Sequence, residues 1–282
     1  MLKTRIITAV LLLAVLLPVL YLDNFPAFGV IATLFFGAAM WESTRLFGQP
    51  VPLLYALVWA ALFARGVFGG GFGLPAAWFA LCCLLWLLRF VPALALGLPP
   101  LAVQPARRRF SNTLLAAAFA IALLGCFIAI VTLFRESPLY LLSVLALVWI
   151  ADIGAYFSGK AFGRHKLAPS ISPGKSWEGA IGGAVAVLLL AALAILCAPA
   201  APWLQDTFAV RLQARFGWAA ALAVLLLLVA ASVAGDLFES MLKRRAGLKD
   251  SSALLPGHGG VLDRIDALVP VLPLAALIGV WL

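Results

Sequence analysis

The chain is organised around repeated apolar runs, each about as long as a lipid bilayer is thick. Nearly charge-free runs occur at about 6–22, 24–41, 51–68, 74–96, 112–134, 137–159, 178–198, 216–238 and 267–282. A helix needs about 20 apolar residues to cross a hydrocarbon core roughly 30 Å thick, and 65% of the 282 residues are hydrophobic. The pattern predicts an all-α, polytopic integral membrane protein with about nine transmembrane helices, and it excludes an ordinary soluble domain.

The basic residues predict which ends of these helices face the cytoplasm. With a cytoplasmic N-terminus, nine spans place 15 of the 20 Lys and Arg residues on the cytoplasmic side, 4 on the far side and Arg89 within a span. This bias is the one that the positive-inside rule describes. No small-residue cleavage site follows the first run, which begins after Lys3 and Arg5, so we expect it to be retained as a helix. In a bacterium, the protein is expected in the inner membrane.

The polar residues divide the chain into two unequal parts. Residues 1–135 hold about five spans joined by short loops, whereas 136–282 hold about four spans and two polar segments, 160–177 and 242–265, on the predicted cytoplasmic side. We expect the second part to be the catalytic region. The net charge of +9 is expected to serve topology and contact with membrane lipids, and no soluble domain is predicted that would bind nucleic acid.

Acidic residues within two of the runs indicate a functional site. Four polar residues at the end of the eighth run share one helix face by their spacing: Asp236, Glu239, Ser240 and Lys243. An acid inside an apolar span costs about 2.5–3.5 kcal/mol on insertion scales, so it usually faces a partner or a watery cavity. Asp152, with Tyr156 one turn later, repeats the situation in the sixth run. The alternatives are an internal salt bridge to Lys243 and a structural hydrogen bond from Asp152.

The segment Ser172–Gly179, with the sequence SPGKSWEG, opens the seventh run. Gly-Lys-Ser is typical of a phosphate loop, but a Walker A motif needs a glycine where Pro169 stands and a strand before it. We therefore do not expect a P-loop ATPase. Small residues, Lys175 and free N–H groups at a helix start still predict an anion site, with a plain helix cap as the alternative.

The densest polar segment runs from Ser240 to Asp266, with the sequence SMLKRRAGLKDSSALLPGHGGVLDRID. Its glycines let the main chain wrap a phosphate, and Asp263 and Asp266, one helical turn apart, can hold a hard cation through carboxylate oxygens. Lys and Arg side chains can grip phosphates around that cation. This combination is what metal-dependent phosphoryl-type transfer requires. The alternative is a solvated loop with a role in topology.

These motifs resemble the integral-membrane phosphatidate cytidylyltransferases, also called CDP-diacylglycerol synthases. The family signature runs Ser-x-apolar-Lys-Arg, four residues, Lys-Asp, then Pro-x-His-Gly-Gly-apolar-x-Asp-Arg-apolar-Asp, and the chain matches it from Ser240 to Asp266. The segments around Asp152 and at Ser172–Gly179 resemble the family as well. The resemblance implies that CTP and phosphatidic acid give CDP-diacylglycerol and pyrophosphate, for phospholipid biosynthesis, by attack of the lipid phosphate on the α-phosphorus of CTP.

The resemblance also implies roles for individual residues, with Mg²⁺ as the cofactor and room for a second cation. The implied metal ligands are Asp236, Asp263, Asp152 and Asp266. The implied catalytic residues are Asp236, Lys243, Asp263 and Arg264. Contacts to CTP or the lipid are implied for Lys175, Ser176, Ser240, Arg244, Lys249, Asp250, His258, Gly259, Gly260 and Tyr156. A homodimer is implied, with an active site that faces the cytoplasm.

Two other classes of function are weighed against this interpretation. A CTP-dependent polyprenol kinase or a CDP-alcohol phosphotransferase is a related transferase, but the latter needs an Asp-Gly-x-x-Ala-Arg segment that the sequence lacks. A transporter predicts acids near span midplanes, broken helices in paired halves and an inverted repeat. Here the acids lie at predicted cytoplasmic ends and the halves are dissimilar, so the cytidylyltransferase interpretation is favoured.

Overall fold

The computed structural model describes Val10, Ala14, residues 17–98, Leu101 and residues 106–282, with only the backbone for 106–110. Helices dominate these residues, as the sequence predicts. They are α1 Phe25–Leu46, α2 Pro52–Gly69, α3 Pro75–Leu96, α4 Ala106–Glu136, α5 Pro138–Phe162, α6 Trp177–Cys197, α7 Phe208–Arg245, the short α8 Leu262–Ile265 and α9 Leu268–Gly279.

Among the described residues, seven helices, α1 to α7, are long and apolar enough to cross a membrane. They match the second to eighth predicted spans, so the prediction of an all-α polytopic membrane protein is confirmed. The predicted ninth span is represented by the 12-residue α9, which is shorter than a bilayer crossing requires. The predicted first span, at about 6–22, lies largely outside the described residues, as do Lys3 and Arg5. The total of nine spans and the cytoplasmic N-terminus therefore stay predictions.

The helix boundaries follow local chemistry. Helices α1, α2, α3 and α5 each carry a proline in the first turn, where its missing N–H costs nothing. The side chains of Asn24 and Ser137 accept N–H groups of the first turns of α1 and α5, at 3.0 and 3.4 Å. Helix α3 continues through a π turn at Trp86–Phe90.

Helix α7 is longer than its apolar run at 216–238. Gly217, with φ 78° and ψ 175°, breaks the helix near its start, so residues 208–216 form a separate short stretch. At the other end the helix continues to Arg245 and stops before Gly247, whose φ is 72°. The predicted polar segment 242–265 therefore begins as helix, and Lys243 is held on the same rigid element as Asp236.

Aromatic packing fixes the rotation of α7. Phe238 is fully buried, and its ring lies 5.7, 4.9 and 5.4 Å from the rings of Trp86, Phe90 and Phe119. Each aromatic pair at such distances contributes about 0.5–1.5 kcal/mol beyond area burial. Because Phe238 lies between Asp236 and Glu239 in sequence, this core sets the directions of both acids.

Helices α5 and α6 pack closely through glycines. A Cβ atom added to Gly179 would lie 2.9 Å from the carbonyl oxygen of Ala155, and one added to Gly183 would lie 2.5 Å from that of Ala151. Small residues allow two helix backbones to approach in this way. The contact forms one wall of the site described below.

A small hairpin joins α5 to α6 within the predicted loop 160–177. Strands β1 Lys166–Ala168 and β2 Ser172–Ser176 pair antiparallel, with Lys166 opposite Ser176. The sequence pattern predicts no strand here, so the hairpin is a finding of the structure. Backbone pairing satisfies the N–H and C=O groups that an open loop would leave to water, and it turns Lys175 back toward α7.

Contacts between the ends of different helices join residues that the predicted topology places on the same side of the membrane. Arg211 pairs with Glu136 at 2.7 Å and with Asp206 at 3.1 Å. With a cytoplasmic N-terminus, the nine-span topology places the loops that hold these residues, after the fifth and the seventh spans, on the far side. Glu42, predicted on the cytoplasmic side, instead contacts Val261 of the second polar segment, with a distance of 3.0 Å to its backbone nitrogen. The grouping agrees with the predicted alternation of the helices, while the end that faces the cytoplasm stays a prediction.

Candidate active site

A cavity of about 450 Å³ opens between α5, α6 and α7. Its polar lining comes from α5, β2 and α7 and includes Asp152, Tyr156, Lys160, Lys175, Ser176 and Asp236. Its remaining wall is built of small and apolar residues such as Gly183 and Val229. Val229 lies about two turns along α7 from Asp236, so the cavity passes from a charged end to an apolar one.

The first polar cluster surrounds Asp236. The Lys175 ammonium forms an ion pair with the Asp236 carboxylate, and both side chains are partly exposed. The Ser240 hydroxyl, one turn further along α7, donates to Asp236 Oδ1 at 3.3 Å. Asp152 lies within electrostatic range of Asp236, Lys175 and Arg264. The structure thus brings together five predicted site residues from four segments of the sequence.

The second polar cluster lies one turn further along α7. Lys243 Nζ is 2.5 Å from Glu239 Oε2 and 2.6 Å from Asp263 Oδ1. The three side chains are 12%, 1% and 5% exposed, respectively, so this ion-paired group is held out of water. The predicted alternative of a salt bridge between Glu239 and Lys243 is therefore present, but it is part of a larger cluster that includes Asp263.

The Asp263 carboxylate holds the preceding loop through hydrogen bonds from Ser251 and Gly260. Its Oδ2 atom accepts hydrogen bonds from the Ser251 backbone N–H at 2.9 Å, from the Ser251 hydroxyl at 2.9 Å and from the Gly260 N–H at 2.7 Å. Burial acts to raise the pKa of Asp263, but the hydrogen bonds from Lys243, Gly260 and Ser251 outweigh it and hold that pKa below its usual value. The carboxylate is therefore stabilised in its charged form.

The Pro-Gly-His-Gly-Gly turn is folded tightly beside this carboxylate. Gly259 has φ +84°, and a Cβ atom there would lie 2.6 Å from Asp263 Oδ2, so glycine is required for two reasons. The His258 backbone N–H donates to the Leu255 carbonyl at 2.8 Å. Its Nδ1 atom is buried and has no hydrogen-bond partner among the residues described. The tight fold of the turn thus depends on glycine, while its predicted role in wrapping a phosphate stays a prediction.

Asp266 lies within electrostatic range of both clusters, of Asp236 and Lys175 in the first and of Glu239 and Lys243 in the second. Burial, followed by repulsion from Asp236, raises the pKa of Asp266 well above its usual value. Its Oδ1 atom accepts the Ala267 N–H at 2.8 Å. The one-turn spacing predicts that Asp263 and Asp266 can hold one cation, and this stays a prediction; in the structure their carboxylates accept hydrogen bonds from different backbone groups.

The other predicted site residues are at the rim or have structural partners. Ser176 is buried and caps α6, with its hydroxyl accepting the Gly179 N–H at 3.2 Å, so the predicted helix cap is present. Arg244 is exposed and donates to the Leu248 carbonyl at 3.0 Å. Several predicted residues lie at exposed positions, namely Tyr156, Lys249, Asp250 and Arg264.

Two acids that support the site were absent from the predicted site residues. Glu178, in the first turn of α6, accepts hydrogen bonds from the backbone N–H groups of Arg164 and His165, both at 3.1 Å. It thereby fixes the start of the hairpin that carries Lys175. The sequence places Glu178 in the recognised motif, and its position in the first turn of a helix was a usable signal.

Glu42 is the second missed acid. It is fully buried near the end of α1 and accepts hydrogen bonds from the backbone N–H groups of Val261 and Leu262, at 3.0 and 2.6 Å. The sequence marks it only as an acid at a predicted cytoplasmic end. Its partner segment begins 209 residues later, and nothing in local sequence reports that pairing.

The carboxylates predicted as metal ligands do not form a compact metal-binding group in the described residues. In the part of the chain that the structure covers, no group of three or more His, Cys, Asp or Glu residues is arranged to hold a metal ion. However, two of the predicted ligands already hold a positive group, since Lys175 pairs with Asp236 and Lys243 pairs with Asp263. Carboxylate oxygens that hold an ammonium group are also the ligand type that Mg²⁺ prefers.

Comparison with known proteins identifies the family. The model of the cytidylyltransferase family matches residues 3–281. The phosphatidate cytidylyltransferase of Haemophilus influenzae is 38% identical over 97% of this chain and 96% of its own length. Those of Pseudomonas aeruginosa and Staphylococcus epidermidis are 49% and 42% identical over 51% and 49% of this chain, and over 49% and 48% of their own lengths. With its apolar helices, the chain is a multi-pass membrane enzyme, and it belongs to the cytidylyltransferase family.

Proposed function

We propose that this enzyme transfers the cytidylyl group of CTP to phosphatidate, giving CDP-diacylglycerol and pyrophosphate. One observation carries the proposal: charged residues of α5, β2 and α7 meet in a cavity whose remaining wall is largely apolar. Such a cavity suits an amphiphile with an anionic head. Similarity to a phosphatidate cytidylyltransferase over nearly the whole chain supports the same reaction.

The two clusters suggest how the substrates are divided. The lipid phosphate would lie in the cavity near Lys160 and Lys175, with its acyl chains along the apolar wall toward Val229. CTP would approach from the aqueous side, where the turn at 256–260 and the exposed Arg244 and Arg264 are found. Glycine N–H groups and guanidinium groups are suited to phosphate oxygens.

The residues would act mainly by positioning and by charge neutralisation. An oxygen of the lipid phosphate attacks the α-phosphorus of CTP, and the bond between that phosphorus and the oxygen bridging to the β-phosphorus breaks as pyrophosphate leaves. Both reactants are anions, so fixed positive groups such as Lys175 and Lys243 lower the repulsion between them. A phosphate monoester is already ionised at neutral pH, so His258 is assigned to loop structure rather than to proton removal.

Mg²⁺ is part of the proposal. Asp152, Asp236 and Asp266 would hold it through carboxylate oxygens, and Asp263 remains a predicted ligand where the ion would join or replace Lys243. When bound, Mg²⁺ would neutralise phosphate charge and assist the departure of pyrophosphate. We further propose that the site faces the cytoplasm, where CTP and Mg²⁺ are found, and that the protein resides in a bacterial inner membrane. A homodimer stays a prediction.

The proposal is tested with purified protein in detergent, labelled CTP, phosphatidate and Mg²⁺. We expect CDP-diacylglycerol and pyrophosphate to form in equal amounts, and both to disappear in Asp263→Asn. Asp206→Asn is the matched control, because Asp206 is an exposed acid at the opposite end of the helices. If folded wild-type protein binds Mg²⁺ but forms no liponucleotide from phosphatidate, the substrate assignment is wrong and polyprenol acceptors are tested next.

A further inference from the structure

Glu42 is a buried acid in the half of the chain that the proposed chemistry does not use. It lies near the end of α1 and its side chain has no exposed surface. An ionised carboxylate is expensive to bury without hydrogen-bond donors. Every donor recorded for Glu42 comes from the segment 251–262, more than 200 residues further along the chain.

The donors are arranged evenly around the carboxylate. Oε1 accepts the Val261 N–H at 3.0 Å and the Ser252 hydroxyl. Oε2 accepts the Leu262 N–H at 2.6 Å, and the Ser251 hydroxyl oxygen, which lies closer to Asp263 Oδ2, is 3.1 Å away. Ser251 and Ser252 precede the Pro-Gly-His-Gly-Gly turn, and Val261 and Leu262 follow it. One carboxylate therefore ties together the two ends of the loop.

The same segment is bound to the second polar cluster. The Ser251 hydroxyl lies 3.1 Å from Glu42 Oε2 and 2.9 Å from Asp263 Oδ2, so it joins the two carboxylates. Gly260 packs between them, since a Cβ atom there would collide with both the Ser251 hydroxyl and Glu42. A shift of Glu42 would consequently move the backbone that donates to Asp263.

We infer that Glu42 is a positioning residue, which fixes the loop 251–262 and through it Asp263 for cytidylyl transfer. The expected effect on cytidylyl transfer rests on the proposed function, whereas the holding of the loop 251–262 by Glu42 does not depend on it. Helix α1 supplies a rigid base, because Phe36, Ala39 and Met40 on it are fully buried in the core. A site residue is held accurately when the groups behind it are anchored in this way.

Glu42→Gln is the discriminating substitution because it preserves size but not acceptor capacity. Each carboxylate oxygen accepts one backbone N–H, from Val261 or from Leu262. An amide has only one oxygen, so in either orientation its NH₂ group faces a backbone donor. One of the two backbone hydrogen bonds that hold the 261–262 end of the loop is then lost, while the volume of the core is unchanged. Thr44→Val is the matched control, since Thr44 is also buried on α1 and its hydroxyl bonds to the carbonyls of Met40 and Trp41.

Two readouts separate positioning from general stability. The first is steady-state kinetics of CDP-diacylglycerol formation, where we expect kcat/KM for CTP to fall about tenfold or more in Glu42→Gln. The KM for phosphatidate should stay within about twofold of wild type, because the loop lies away from the lipid cavity. The second is amide hydrogen exchange, where faster exchange should be confined to peptides that cover 248–262. Thr44→Val should match wild type in both.

Each other outcome overturns the inference. Wild-type kinetics in Glu42→Gln would show that the loop does not depend on this carboxylate. Equal loss in Thr44→Val, or faster exchange throughout α1, would assign the effect to general destabilisation. If Glu42→Gln does not fold, Ser252→Ala removes one donor and keeps the carboxylate, and it must give a smaller effect on the same loop. If wild-type protein forms no CDP-diacylglycerol, the proposed function fails, whereas the exchange experiment still decides whether Glu42 holds the loop.

Discussion

Lys243→Met is predicted to destabilise the protein strongly, because Lys243 neutralises two buried acids. Its ammonium lies 2.5 Å from Glu239 and 2.6 Å from Asp263, and these two side chains are 1% and 5% exposed. Removing one partner from a buried ion pair typically costs about 3–5 kcal/mol, because an uncompensated charge is left out of water. Asp263 keeps its donors from Ser251 and Gly260, so most of the loss is expected to come from Glu239.

A double variant tests whether Glu239 accounts for most of the loss of stability in Lys243→Met. In Lys243→Met, adding Glu239→Gln should recover at least about 1 kcal/mol, because it removes the stranded charge. Arg244→Met is the matched control: it makes the same change of charge at the next residue, but Arg244 is exposed and its recorded bond is to a backbone carbonyl. Its effect should stay within about 0.5 kcal/mol.

The assay is equilibrium unfolding in mixed micelles, followed by circular dichroism. The expected order of stability is wild type close to Arg244→Met, then the Lys243→Met, Glu239→Gln double variant, then Lys243→Met alone. A Lys243→Met variant within about 1 kcal/mol of wild type, or a double variant no more stable than the single one, would refute the view that a buried charge cluster stabilises this end of α7.

Three further predictions follow from the geometry. Lys175→Met should lower kcat by about 10²-fold with unchanged thermal stability, because the ammonium on Asp236 is partly exposed and is assigned to the chemistry; a drop in Tm matching the drop in activity would contradict this. Gly183→Val should lower the free energy of unfolding by about 1–3 kcal/mol, since a Cβ atom there would lie 2.5 Å from the Ala151 carbonyl oxygen. The measurement is a thermal denaturation scan in detergent, and a Tm equal to that of wild type would count against the tight contact of α5 and α6. Treatment with EDTA should abolish liponucleotide formation and excess Mg²⁺ should restore it, whereas full activity of metal-free protein would remove the proposed cofactor.

The architecture could be predicted from sequence because bilayer thickness imposes a length on apolar runs. Runs such as 137–159 and 178–198 correspond to α5 and α6 within a few residues. The end of α7 was predicted less well, because Lys243 and its neighbours form good helix while carrying charge, so hydropathy stops before the helix does. The hairpin at 166–176 was missed because its pairing depends on the two helices that it joins.

The members of the site could be predicted, but not their pairing. Helical spacing placed Asp236, Glu239 and Lys243 on one face, and the structure agrees. The assignment of Lys175 to Asp236, and of Asp263 to Lys243, depends on how segments distant in sequence fold together. Glu42 is the extreme case, because its partners lie more than 200 residues away and no local pattern distinguishes it from an acid at a membrane surface.

The most direct test of the central claim follows the phosphorus atoms of CTP. Purified protein is given phosphatidate, Mg²⁺ and CTP that carries its label on either the α-phosphorus or the γ-phosphorus, with Asp263→Asn as the inactive control. Cytidylyl transfer predicts that the α-label appears in the lipid and the γ-label appears in pyrophosphate. A γ-label recovered in lipid would identify a kinase, and it would contradict the assignment of this site to nucleotidyl transfer.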